Sequence, residues 1–94
     1  MAMKTTASTS TAAQNAINSS PDSAMAAMFA SSFESRGLRV CAAALRAHAD
    51  YLSALAIGRR DLAEQAALIR DDELAALRAT EGGSKTLEQA KAAL

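Results

Sequence analysis

Leu38, Cys41, Leu45, His48, Leu52 and Leu55 follow one another at alternating steps of three and four residues. Only a helix, at about 3.6 residues per turn, gathers that spacing into one stripe, and such a stripe is what one helix presents to another. At about 100° per residue, Phe29, Phe33, Val40 and Tyr51 fall on a neighbouring strip and widen the apolar face. Arg39, Arg46 and Asp50 take the opposite side. Between Ser20 and Ile57 the chain holds Pro21 at its start and a single glycine, Gly37. A glycine inside a helix costs about 1 kcal/mol relative to alanine, so one long helix, bent at Gly37, is the simplest expectation. Ser20-Pro21-Asp22 predicts its start: a hydroxyl to cap unbonded amides, a proline suited to the first helical position, and an acid near the positive end of the dipole.

Gly58-Arg59-Arg60-Asp61 reads as a stop and a restart, with Asp61 and Glu64 spaced as a capping box. The competing expectation is a helix continuous through Gly58, because strong helix formers flank it on both sides. The second helix is expected from about residue 62 to 79, ending before Gly82-Gly83, with Leu62, Ala66, Ile69 and Leu77 on one side and Leu74 at its edge. Arg70 and Glu73 intrude on that side, and Leu68 points away from it. A short third helix over residues 86–94 would be capped by Thr86 with Gln89. Residues 1–19 are mostly Ala, Thr and Ser, with Ile17 as the one branched aliphatic side chain, and read as a disordered polar tail. The fold class is therefore all-α. Its organisation is a tail over 1–19, an amphipathic helical hairpin or a pair of extended helices over 20–80, and a Gly-Gly break with a short helix over 81–94.

Half of the 94 residues are hydrophobic, but 25 of those 47 are alanine. Each buried methylene is worth roughly 0.8 kcal/mol, whereas ordering a residue costs about 1 to 2 kcal/mol of backbone entropy, so the core is thin. Phe29, Phe33 and Tyr51 are the only aromatics. That balance favours self-association, and a homo-oligomer is expected. Ten basic residues offset ten acidic ones with no basic block, which argues against a nucleic-acid partner. One cysteine, Cys41, allows neither an internal disulfide nor a structural zinc site and fits a cytoplasmic protein. No run approaches the roughly 18 apolar residues of a transmembrane segment, and the polar N-terminal stretch lacks the pattern of an export signal.

Catalytic chemistry finds no support in these residues. His48 is the sole histidine, and Cys41 lies seven positions away, about 10 Å along a helix and beyond direct proton transfer. A polar residue within an apolar stripe can instead set the register or number of partners. Asp71-Asp72-Glu73 points in different directions around a helix and reads as a solvated face. Gly82-Gly83-Ser84-Lys85 lacks the preceding strand and glycine spacing of a phosphate-binding loop. Met25, Met28 and Phe29 form either a soft contact surface or helical core. No cofactor and no metal are expected, and the chain is not expected to be an enzyme.

The stretch HADYLSALAIGRRDLAEQAAL, His48 to Leu68, resembles the middle of phasins, the small bacterial proteins that coat polyhydroxyalkanoate granules. The resemblance rests on Leu52-Ser53-Ala54-Leu55, the break at Gly58-Arg59-Arg60, and the restart at Asp61 with Glu64. It covers about a quarter of the chain, which is short for that family, and the family's usual continuation after the restart is not evident. The resemblance implies a cytoplasmic structural protein that covers a hydrophobic polyester with its apolar helix face and turns charge to water. The alternative is an oligomerising adaptor or a small regulatory subunit that pairs with a partner helix. Either role would use an interaction surface of Phe29, Phe33, Leu38, Val40, Cys41, Leu45, His48, Tyr51, Leu52 and Leu55.

Overall fold

The computed structural model describes the backbone of residues 3–93 and the side chains of residues 9–80. Four helices follow in order, α1 (Met3–Ser19), α2 (Ser23–Ser35), α3 (Arg39–Ala56) and α4 (Arg60–Ala93), with no strand among the described residues. The fold is all-α. Packing is most extensive between α3 and α4 and between α2 and α3, while α1 lies mainly against α3 and α4.

Where the sequence predicts a polar tail, the structure has a helix, α1. Its described part buries Ala13, Ala16 and Ile17, a small apolar set at the helical spacing of three and four. Packing outweighs the modest helix propensity of Thr, Ser and Asn. The helix stops where Ser20, which precedes Pro21, is steered away from helical angles. Ser20 therefore closes α1 instead of opening α2: its hydroxyl donates to the Ile17 carbonyl at 2.8 Å. The cap of α2 is Asp22, whose extended backbone (φ −148, ψ 173) lets Oδ1 accept from the Met25 N–H at 2.8 Å.

The single long helix expected from Ser20 to Ile57 is two helices. Gly37 takes φ +78, its N–H donates to the Glu34 carbonyl at 2.9 Å, and the Leu38 N–H donates to the Phe33 carbonyl at 3.0 Å. Gly58 repeats this at φ +76, with Gly58 N–H to Leu55 O at 3.1 Å and Arg59 N–H to Ala54 O at 2.8 Å. Both are Schellman closures, in which glycine supplies the left-handed residue and two late carbonyls are satisfied. A glycine weighed only as a propensity cost predicts a bend at position 37. What makes it a break is the side chain after it, because Leu38 folds back to pack on the core with α2.

The restart differs from the expected box. The Arg59 carbonyl accepts the first bond of α4, from the Ala63 N–H at 3.0 Å, and Asp61 sits inside the first turn. Its carboxylate takes both Arg59 contacts, 3.2 Å from Nε and 3.1 Å from Nη2, close to the positive end of the helix dipole. α4 then runs past Ala79 and through Gly82-Gly83, where a break was expected. Extending an established helix adds one hydrogen bond per residue fixed, and no proline interrupts the helix formers on either side. The expected cap of Thr86 with Gln89 involves side chains outside the described residues.

The core draws on all four helices: Ile17 from α1, Phe33 from α2, Cys41 and Leu45 from α3, Leu74 and Leu77 from α4. Leu45 and Cys41 are the largest side chains fully removed from solvent. Ten of the sixteen buried hydrophobic residues among those described are alanine.

Candidate functional site

The stripe along α3 divides its length between two tasks. Cys41, Leu45 and His48 are buried against the chain's own helices, Leu38 and Leu52 are half-buried, and Leu55 is exposed. The neighbouring strip divides as well, because the break at Gly37 puts Phe29 and Phe33 on α2 and leaves Val40 and Tyr51 on α3. Phe33 is buried, Phe29 and Tyr51 half-buried, and Val40 exposed. Much of the surface predicted for a partner is thus covered from within, by α1, α2 and α4.

On α4, Leu74 and Leu77 reach the core and Leu68 points away from it. Arg70, the residue that intrudes on the apolar side, has a specific place. Its Nη1 lies 3.0 Å from His48 Nδ1, and its guanidinium carbon stands 5.1 Å from the centre of the Tyr51 ring. Tyr51 stacks on His48 with ring centres 5.7 Å apart and planes inclined by 21°. Guanidinium only donates, so Nδ1 accepts and the imidazole proton resides on Nε2. Burial, and after it the positive charge of Arg70, hold the His48 pKa below the ordinary 6.5. Cys41 is engaged elsewhere, its Sγ 3.7 Å from the Thr9 carbonyl of α1. No cluster of three or more metal-ligating side chains occurs among the described residues.

An open groove lies on the other side of the α3–α4 hairpin. Ile57, Leu62 and Ile69 line it above Ala47, Ala54 and Ala66, and Arg46 and Asp50 stand along its α3 edge. Ile57 is 71% exposed, Ile69 56% and Leu62 40%. Leu62, Ala66 and Ile69 are legible in the sequence as one face of α4. Ile57 was missed because the residues it follows at steps of three and four, Ala43, Ala47, Asp50 and Ala54, are alanine and aspartate and give a weak apolar signal. Arg46 is salt-bridged to Glu34 of α2, which holds the Glu34 carboxyl below its ordinary range, and Arg59 does the same for Asp61. Asp71 and Asp72 are exposed and Glu73 is half-buried. Among the described residues no helix is long and apolar enough to cross a membrane.

The chain matches no protein-family model, no curated protein and no solved structure.

Proposed function

We propose that the chain is a non-catalytic helical protein that lays the open side of its α3–α4 hairpin on an apolar surface, coating a hydrophobic polyester granule in the manner of the phasins it resembles. The observation that carries this is the groove: three large aliphatic side chains, Ile57, Leu62 and Ile69, stand exposed together on an alanine floor. Single exposed apolar residues are ordinary, whereas several that share one concave face mark a contact site. The phasin-like stretch, residues 48–68, contributes the Gly58 turn and two of those three side chains. On this reading the protein lies at the granule surface in the cytoplasm, with Arg46 and Asp50 left in water.

The alanine floor supports a second reading, in which a partner helix or a second copy of this chain fills the groove, because small residues let backbones approach closely. One experiment separates the two. A fluorescent fusion expressed in a polyester-accumulating bacterium is expected to ring the granules, and the double variant Ile57→Asp, Ile69→Asp is expected to become diffuse while keeping its helical content. Diffuse wild-type signal around visible granules ends the granule reading. A stoichiometric oligomer in light scattering that the double variant dissolves would transfer the groove to the helix partner.

A further inference from the structure

We propose that His48, Tyr51 and Arg70 form an acid-sensitive latch between α3 and α4, closed while His48 is neutral and released when it takes up a proton. The proposal stands apart from the granule reading, because it concerns the inner contact of the hairpin and not the groove.

The geometry sets the condition. With Nδ1 accepting from Arg70 Nη1 at 3.0 Å, the closed contact requires an unprotonated nitrogen. A proton taken from solvent at Nδ1 removes the acceptor. It also leaves two positive charges in hydrogen-bond contact, beside a ring that is 6% exposed. Like charges this close and this poorly hydrated repel strongly, and among the described residues no carboxylate contacts the imidazole itself. On α4, Asp71 is largely exposed and binds the far side of the guanidinium, 3.1 Å from Nε. Glu73 is half-buried, but the charge that bears on the imidazole is Arg70. On α3 itself, Arg46 and Asp50 stand at the groove edge. The described part of α1 carries no ionisable side chain, and on α2 and its cap Glu34 is held by Arg46 while Asp22 caps the helix. The guanidinium relieves the repulsion by swinging outward, which takes it off the Tyr51 ring and leaves that ring stacked on a charged imidazole.

Because burial and Arg70 depress the pKa, the folded chain binds this proton less readily than the unfolded chain. Stability is then fully present above 6.5 and declines as pH falls below that value toward the folded-state pKa. Tyr51 reports the event directly, since the sequence holds one tyrosine and no tryptophan.

The test is an NMR titration of the full chain, following the His48 ring protons alongside the near-ultraviolet circular dichroism of Tyr51 from about pH 8 to about pH 5. The expected result is a His48 midpoint below 6.5 that moves upward in Arg70→Gln, with the Tyr51 signal collapsing at the same midpoint in the wild type. His48→Gln, which keeps an acceptor but cannot titrate in this range, is expected to hold the Tyr51 signal constant. A midpoint at or above 6.5, or a Tyr51 signal indifferent to it, overturns the latch. So does a His48→Gln protein that loses the signal over the same range. Should that variant fail to fold, the wild-type and Arg70→Gln titrations decide the matter alone.

Discussion

Gly37 and Gly58 end α2 and α3 with the same pair of backbone hydrogen bonds at almost the same positive φ, 78° and 76°. A Cβ added at either would meet nothing within 4 Å, so the cost of a side chain there is conformational and not steric crowding from neighbours. L-alanine at either position is expected to destabilise the fold by about 1 to 2 kcal/mol. D-alanine, whose preferred angles are the mirror image, is expected to stabilise it by about 0.4 to 1 kcal/mol through loss of freedom in the unfolded chain. Urea denaturation of semisynthetic chains measures both, and an equal loss for the two enantiomers would contradict the assignment.

Two leucines on adjacent helices are expected to behave oppositely. Leu45 is wholly buried in the four-helix core, and Leu45→Ala should cost about 2 to 5 kcal/mol because the space left behind closes only in part. Leu68 is 65% exposed, and Leu68→Ala should fall within about 0.5 kcal/mol of the wild type. Ile17→Ala belongs with Leu45, because Ile17 joins the same cluster from α1. An Ile17 variant as stable as the wild type would mean that α1 does not dock. Denaturant midpoints at constant slope decide each case.

The acid limb of the stability curve should belong to two surface carboxylates. Glu34, hydrogen-bonded to Arg46, and Asp61, hydrogen-bonded to Arg59, both have pKa values below their ordinary 4.5 and 3.8. Groups depressed in this way contribute fully above the unfolded-state value, and the contribution is lost as pH falls through the folded-state value. Stability is thus expected to decline below 4.5 through these groups, whereas the His48 contribution begins to decline at 6.5. Glu34→Gln and Asp61→Asn should each flatten that decline, and added salt should mimic them, because both pairs are solvent-exposed. An unchanged acid slope in both variants would assign the decline to other groups.

The helical class and the hairpin across Gly58 were legible because they rest on local signals: the three-and-four spacing along α3 and a glycine followed by arginines. The burial of Cys41 and Leu45 follows from that same spacing. Three features were illegible for physical reasons. The helix over residues 3–19 depends on Ala13, Ala16 and Ile17 finding a groove elsewhere in the fold, which composition does not disclose. The break at Gly37 depends on Leu38 packing back on the core, a tertiary reward absent from any propensity scale. Arg70 looked like a flaw in the apolar side of α4 until His48 and Tyr51 supplied its partners across the interface. The groove was half legible, since its α4 face carries Leu62 and Ile69 while the α3 residues leading to Ile57 are mostly alanine.

An interior made mostly of single methyl groups leaves evolution little room to trade volume. Where a leucine-rich core absorbs an enlarged side chain by trimming its neighbour, Ala30, Ala42 and Ala44 have nothing to trim except the methyl itself, and a glycine there would loosen the helix that carries it. Substitutions are therefore tolerated chiefly on the exposed flanks of α2 and α4, where no methyl-sized fit is at stake.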